Sequence, residues 1–259
     1  MTPVPMEFRQ LPAARRGTIL LGLTLVAGCT DAISYLGLGR VFTANMTGNT
    51  VLLGLAVAQR DAGAAARSAA ALGGFVIGAV VVSLAPELTG TAAGGAGVPA
   101  ARRRPGTGPR PGRRSRQLAQ VTGSLVIELG LLAALLGWWS TTGSTPHGAA
   151  QDGLISLAGT AMGVQSAAVA RLGVPGVATT YITGTWTGIS AGVANWIRRR
   201  PPDVSPEDGP HRGLQVTVVV VYLGGAIAGG FGHDGWGPAA AAIPLGVLAV
   251  VVAAISAKG

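Results

Sequence analysis

Two carboxyl side chains lie inside long apolar stretches of the sequence. Glu128 stands in the middle of residues 118–139, and Asp31 lies about one turn before the end of residues 17–36. An ionised side chain at the centre of a bilayer costs about 2.5 kcal/mol or more unless it is protonated, paired or hydrated, and such residues usually mark ion or proton pathways. We therefore predict that both residues line a pathway. The alternatives are that Glu128 is neutral and bonded to a neighbouring helix, and that Asp31 caps broken backbone or faces the membrane interface.

A second set of polar groups is neutral and occurs twice. Residues 36–50 read LGLGRVFTANMTGNT and residues 172–186 read LGVPGVATTYITGTW, so an offset of 136 aligns Leu36 with Leu172 and Thr47 with Thr183. Hydroxyl, amide and phenol groups supply hydrogen bonds without a fixed charge. If these two Gly/Thr segments are half-helices, their N-termini favour an anion or a polar neutral solute. The predicted pathway residues of the two segments are Asn45, Thr47, Asn49, Thr50, Thr179, Thr180, Tyr181, Thr183 and Thr185.

The residue types that usually carry catalysis or bind metals are scattered along the chain. His147, His211 and His233 fall in different polar segments, and Cys29 is the single cysteine. The sequence offers no serine, histidine and aspartate arrangement and no phosphate-binding glycine loop. Intramembrane catalysis through Asp31 and Glu128 has no other residue in its support. We therefore predict that the protein is not an enzyme and has no cofactor and no metal site.

The composition is that of a chain embedded in lipid. Hydrophobic residues make up 49% of the 259 residues, and charged residues make up only 11%. The charged share is about half of that in a soluble domain. The net charge of +9 comes from arginines that stand between apolar runs. This distribution predicts cytoplasmic loops that contact anionic lipid headgroups, and it argues against nucleic acid as the partner.

The sequence contains eight apolar segments, whose order repeats. Residues 1–16 form a cytoplasmic arm, residues 17–139 a first membrane repeat and residues 152–257 a second one. The first repeat includes residues 87–117, which are rich in Arg, Pro and Gly and are predicted to be a flexible loop because they cannot bury a core. Residues 26–29, Val-Ala-Gly-Cys, resemble a lipoprotein cleavage site. The equivalent region of the second repeat, 153–171, has no such pattern, so we expect a retained helix.

Charge decides between two topologies. If all eight segments cross the bilayer from a cytoplasmic N-terminus, the 19 basic residues divide into 10 inside and 9 outside. If the two Gly/Thr segments enter the membrane and return on the same side, 16 basic residues lie inside and three outside, namely Arg40, Arg60 and Arg67. Only the second arrangement follows the positive-inside rule, and it places both termini in the cytoplasm. Fully spanning Gly/Thr helices packed through glycine remain the alternative.

The residues of both Gly/Thr segments carry a family resemblance. Asp31, Ala32 and residues 41–50 in the first half, with residues 171–181 and 183–185 in the second, resemble the YoaK family of bacterial membrane proteins over nearly the whole chain. The resemblance implies a multi-pass inner-membrane protein, and it implies no substrate or activity because the family is named as a domain of unknown function. Two departures are visible. The loop 87–117 is longer than usual, and Ser166 stands after Gln165 at a position where the resemblance leads us to expect an amide. Gln165 is itself among the predicted pathway residues.

These observations together predict an all-α polytopic membrane protein. About six transmembrane helices and two re-entrant or short helices form an inverted internal repeat, in which broken backbone is tolerated where it lines a cavity. We expect Thr47 and Thr183 to lie close together near the bilayer centre. The predicted function is a transporter or channel for a small solute or ion, and a homo-oligomer is compatible with it. The alternative is a membrane scaffold or assembly factor that packs through glycines, namely Gly74, Gly78, Gly184, Gly188, Gly225 and Gly229.

Overall fold

The computed structural model describes residues 13–88, 111–171, 190 and 209–257. Within these ranges the secondary structure is entirely helical, which confirms the predicted class. The helices are α1 (Ala13–Gly37), α2 (Met46–Ala58), α3 (Ala62–Leu88), α4 (Pro111–Thr142), α5 (Gly148–Arg171), α6 (Gly209–Trp236), the 3-10 helix η1 (Gly237–Ala241) and α7 (Ala242–Ser256). Helices α3 and α4 both extend into the segment 87–117 that was predicted to be a loop.

Among the described residues, five helical stretches are long and apolar enough to cross a membrane. They are Gly17–Gly37, Ala62–Leu84, Ala119–Thr142, Gly148–Ala170 and Val216–Ser256. The last stretch has 41 residues and contains most of α6 and all of η1 and α7. Helix α2 has 13 residues. At 1.5 Å per residue it extends about 20 Å, whereas the hydrocarbon core of a bilayer is about 30 Å thick.

Glycines bring α3 and α5 into backbone contact. A Cβ atom on Gly74 or Gly78 would collide with the carbonyl group of Ser156 or Thr160 of α5, and a Cβ atom on Gly163 would collide with the carbonyl group of Phe75 of α3. Close approach of this kind is how helices pack in lipid, where burial of apolar side chains supplies little driving force between them.

The second close crossing joins α1 to α6. A Cβ atom on Gly28 would collide with the Tyr222 carbonyl group, and Gly225 and Gly229 pack in the same way on Leu25 and Cys29. With the α3–α5 crossing, four of the glycines named for the scaffold alternative pack inside the chain. They are Gly74, Gly78, Gly225 and Gly229.

The order of these contacts fixes the relative directions of the helices. Along α1 and α6 the contacts advance together, from Leu25 with Gly225 to Cys29 with Gly229, so the two helices are parallel. Helices α3 and α5 are parallel by the same criterion. Helices α4 and α5 form a hairpin, because Trp138 of α4 packs on Gly153 of α5.

One end of the bundle is marked by Gly39, and we refer to it as the Gly39 end. A Cβ atom on Gly39 would lie 2.7 Å from the side chains of Arg67 and Gln151, near the starts of α3 and α5. The ends of α1, α4 and α6 surround a shared pocket there, and η1 leads from α6 into α7. Helices α1, α4 and α6 therefore end at the Gly39 end, whereas α3, α5 and α7 begin there.

Fully buried leucine side chains from several helices form the core, among them Leu20, Leu125, Leu154 and Leu248. Other large apolar side chains are exposed along α3 and α6, for example Val76, Ile77, Val220 and Phe231. Exposed aliphatic and aromatic side chains on transmembrane helices face lipid, so this outer surface is the one expected of a membrane protein.

Candidate functional site

The chain turns back sharply after α1. Gly39 and Arg40 adopt positive φ angles of 89° and 64°, and the Arg40 amide donates to the Tyr35 carbonyl oxygen at 3.0 Å, which closes the end of the helix. Left-handed residues of this kind commonly end helices, and glycine adopts the conformation without strain. The segment that follows, residues 41–45, has no helical hydrogen bonding until α2 begins at Met46.

Asp31 anchors this non-helical segment. Its side chain is 2% exposed, and its Oδ1 atom accepts hydrogen bonds from the backbone amides of Thr43 and Ala44, both at 2.6 Å. Its Oδ2 atom accepts a hydrogen bond from the Tyr222 hydroxyl of α6 at 2.5 Å. Asp31 thus caps broken backbone, which is the alternative to ion binding that the sequence left open.

Asn49 holds the same segment from the other side. Its Oδ1 atom accepts from the Phe42 amide at 2.9 Å, and its Nδ2 group donates to the Phe42 carbonyl oxygen. Asn45 caps α2 by accepting a hydrogen bond from the Gly48 amide at 3.1 Å. Both asparagines therefore satisfy backbone groups that the missing helical turns leave without partners, in agreement with the rule that such groups are paired when buried.

The remaining residues of the first Gly/Thr segment point elsewhere. Thr47 and Thr50 are exposed on α2, and the Thr50 hydroxyl donates to the Met46 carbonyl oxygen at 2.9 Å. The predicted proximity of Thr47 to Thr183 concerns a residue outside the described ranges. Also outside are Thr179, Thr180, Tyr181 and Thr185, so the central site that the two segments were predicted to form stays a prediction.

Glu128 is fully buried in α4, and neither of its carboxyl oxygens has a hydrogen-bond partner in the described part of the chain. Gln165 of α5 is 7% exposed and donates through Nε2 to the Leu23 carbonyl oxygen at 3.1 Å, whereas its Oε1 atom has no partner among the described residues. Buried polar groups without partners are rare in proteins, so these two side chains are the strongest candidates for a role in binding.

A pocket of about 550 Å³ opens at the Gly39 end. It is lined by polar side chains that the sequence reasoning did not select, including His147, Gln151, His233 and Asp234. His233 and Trp139 lie with ring centroids 6.2 Å apart, and Gly37 leaves room for both rings, because a Cβ atom there would overlap them. Within the described ranges, no three His, Cys, Asp or Glu side chains are grouped so that they could hold a metal ion.

The pocket residues and Tyr222 escaped the sequence reasoning for a common reason. His147 is far from His233 and Asp234 in the sequence, and these residues line one pocket only because α4 and α6 end at the same side of the bundle. Tyr222 gave one usable signal, since a phenol within an otherwise apolar span needs a hydrogen-bond partner when it is buried. Its partner, Asp31, is 191 residues away along the chain.

The sequence as a whole matches a family model described as "Protein of unknown function (DUF1275)", over residues 19–254. The chain is also similar to UPF0700 transmembrane protein YoaK of Bacillus subtilis (strain 168), with 35% identity over 173 residues. That match covers 67% of this chain and 65% of the relative, which is less than two thirds of the relative's length. No solved structure matches the chain.

Proposed function

Because the chain belongs to the DUF1275 family and is a multi-pass transmembrane protein of unknown function, we propose that it carries a small polar solute or an ion across the bacterial inner membrane. The observation that carries this proposal is that the non-helical backbone of Thr43 and Ala44 donates hydrogen bonds to Asp31, a residue within the long apolar helix α1. Non-helical backbone at membrane depth is characteristic of transporter binding sites, which lie where broken helices meet.

The directions of the helices support a re-entrant first Gly/Thr segment. Helix α1 ends and α3 begins at the Gly39 end, so the residues between them start and finish on the same side of the helix bundle. Between them Thr43 reaches Asp31, which lies six residues before the end of α1. At 1.5 Å per residue this is about 9 Å below the helix end. We propose that α2 completes the return without crossing the bilayer.

The proposed topology has six crossings. The 41-residue stretch Val216–Ser256 supplies two of them, because α6 and α7 fold back on each other where Gly232 packs on Ile243. In this proposed topology, both termini and the loop 87–117 are on the side of the membrane opposite the Gly39 end. That side carries 16 of the 19 basic residues. By the positive-inside rule, we assign that side to the cytoplasm and expect its arginines to contact anionic headgroups.

The glycine contacts support an inverted repeat. In the α1–α6 crossing, Gly28 packs on the carbonyl group of Tyr222, and Gly225 packs on that of Leu25. The α3–α5 crossing repeats both contacts, as Gly163 on Phe75 and Gly78 on Thr160. The two crossings are related by fixed offsets in residue number. Each α1 number plus 135 gives the corresponding α5 number, and each α6 number minus 147 gives the corresponding α3 number. Since α1 ends and α5 begins at the Gly39 end, the two halves have opposite orientations.

The scaffold alternative is less well supported. The glycines at 74, 78, 225 and 229 are engaged within the chain, so they are not available to a partner protein. The proposed transport function includes no enzymatic activity, no cofactor and no nucleic-acid partner. A homo-oligomer that packs through the exposed apolar faces of α3 and α6 is compatible with transport.

Reconstitution of the purified full chain into liposomes tests this function. The panel comprises glycerol, urea, acetate, potassium and chloride, and uptake is compared with that of protein-free liposomes. We expect wild-type protein to pass at least one probe and Asp31→Ala to pass it more slowly. Val76→Ala is the matched control, because Val76 is exposed on the lipid-facing surface of α3. No uptake of any probe, together with a stable partner recovered in mild detergent, would favour the scaffold.

A further inference from the structure

We propose that Glu128 binds a proton inside the membrane and that this proton is the ion coupled to solute movement, a statement that rests on the proposed transport function. Glu128 lies in the middle of the 24-residue apolar stretch Ala119–Thr142. It is 0% exposed, and both carboxyl oxygens lack a partner within the described ranges. A buried carboxyl group with no partner is energetically costly, so its presence in such a position indicates a use.

The surroundings of Glu128 favour a proton over other cations. The described elements with the most extensive packing on α4 are α5, η1 and α7, whereas α1 and α6 meet α4 at Trp139, beside Gly37 and His233 at the Gly39 end. The sequences of η1 and α7 contain no titratable residue, and α5 carries only Asp152 near its start and Arg171 at its end. A metal cation requires several oxygen ligands, whereas a proton neutralises one carboxylate by itself. Protonation is therefore the simplest way to keep Glu128 in this environment.

Gln165 is the proposed partner of protonated Glu128, because it lies at a similar depth in the neighbouring helix α5 and has an unused acceptor. Trp138 of α4 packs on Gly153 of α5, and the two helices of this hairpin run in opposite directions. Ten residues from this contact, counted toward the interior of the membrane on each helix, Glu128 therefore lies at about the same depth as Gly163. Gln165 lies two residues beyond, with its Oε1 atom free of hydrogen bonds from described residues. A protonated carboxyl group can donate to an amide oxygen, but a carboxylate can only accept. A hydrogen bond from Glu128 to Gln165 therefore exists only in the protonated state.

This pairing links proton binding to the arrangement of three helices. The Nε2 group of Gln165 already holds the Leu23 carbonyl oxygen of α1. When Glu128 takes a proton from water on one side, its new O–H group can bind Gln165 and so connect α4 through α5 to α1. When the proton leaves to the other side, the carboxylate can no longer donate to Oε1 of Gln165, and that connection is lost. The proton is returned to water, and the glutamate is ready for another cycle.

Infrared spectroscopy of the full protein in lipid tests proton binding directly. We expect wild-type protein at neutral pH to show the carbonyl stretch of a protonated carboxylic acid, and we expect Glu128→Gln to abolish it. Asp31→Asn is the control, because it removes the other buried carboxyl group. Gln165→Leu should shift the frequency of the band without removing it. A band that persists in Glu128→Gln, or is missing in wild type, would overturn the proposal.

A flux measurement separates this proposal from the transport function. In liposomes with an imposed pH gradient, we expect wild-type uptake of the transported probe to be accelerated and Glu128→Gln to lose that acceleration, measured as the ratio of uptake with the gradient to uptake without it. Wild-type uptake that has the same rate with and without the pH gradient would overturn the proton coupling but not the proposed transport function. Absence of uptake under every condition would overturn transport, and the infrared result would then still decide whether Glu128 holds a proton.

Discussion

Asp31 of α1 and Tyr222 of α6 are joined by a hydrogen bond of 2.5 Å from the phenol hydroxyl to Oδ2. The opposite oxygen of Asp31 holds the amides of Thr43 and Ala44. One carboxyl group thus fixes the position of α1 against α6 and the course of the non-helical segment before α2.

The two partners of Asp31 can be separated by mutation. Tyr222→Phe removes one hydrogen bond, so we expect it to lower the free energy of unfolding by about 1–3 kcal/mol. Asp31→Ala should lower it further, because the buried amides of Thr43 and Ala44 then lose their acceptor. Thermal unfolding in mild detergent measures both effects. An Asp31→Ala protein as stable as wild type would contradict the capping role.

Asn49 offers a second stability test with a control on the same helix. Asn49→Leu leaves the amide and carbonyl groups of Phe42 without partners, and we expect a loss of about 2 kcal/mol or more. Thr50→Val replaces an exposed side chain that bonds only to its own helix, so its effect should stay within about 0.5 kcal/mol. The same unfolding measurement applies, and equal effects of the two substitutions would argue against the role of Asn49.

The glycine crossings predict strongly position-dependent effects of adding a methyl group. Gly28→Ala and Gly163→Ala should each destabilise the protein, since the new Cβ atom meets a backbone carbonyl group that cannot move independently. Gly130→Ala is the matched helical control, because nothing lies within 4 Å of its Cβ position. That substitution should be neutral or stabilise by up to about 1 kcal/mol through helix propensity. Similar melting temperatures for all three variants would mean that the close crossings are absent in the membrane.

Cysteine labelling tests the proposed topology. In a Cys29→Ala background, we expect Arg60→Cys to react only with a membrane-impermeant reagent added outside and Arg102→Cys only after the cytoplasmic face is opened. The reason is that α3 crosses the bilayer between these positions. Labelling of both positions from the same side would contradict the crossing of α3, and labelling of Arg60→Cys from the cytoplasmic face alone would refute the re-entrant arrangement of the first Gly/Thr segment.

The relation between the two Gly/Thr segments can be measured by spin labelling. We expect labels at Thr47→Cys and Thr183→Cys to lie within about 20 Å of each other, since both segments are predicted to meet inside a core of about 30 Å. Electron paramagnetic resonance gives the distance. A longer separation would place the segments on opposite faces of the membrane and would remove the predicted central site.

Much of the fold follows from local sequence properties. Apolar runs and their separation by arginines predicted the helical class and most spans, because a chain in lipid has to satisfy its backbone within each helix. The sequence named Gly74 and Gly78 as packing positions of the scaffold alternative, and both lie at a close helix contact. Their spacing could not identify α5 as the partner, since the glycine pattern on one helix carries no information about which neighbour it meets.

The site was only partly predictable for a related reason. Asp31 and Glu128 were identified because a carboxyl group in an apolar run is anomalous in itself. What Asp31 binds depends on residues 43 and 44 and on Tyr222, which reach it through the turn after α1 and the packing of α6. The histidines of the pocket gave no local signal, because their proximity arises only from the shared end of several helices.

The α1–α6 crossing also has a consequence for biosynthesis. Asp31 leaves the ribosome 191 residues before Tyr222, and Leu25 and Cys29 are made at least as long before Gly225 and Gly229, the glycines that pack on them. Contacts so distant in sequence close late, because a long intervening chain has to be ordered first. The first half therefore inserts with an unfilled polar groove, and we expect nascent chains that end before α6 to depend on the insertion machinery or on chaperones until synthesis is nearly complete.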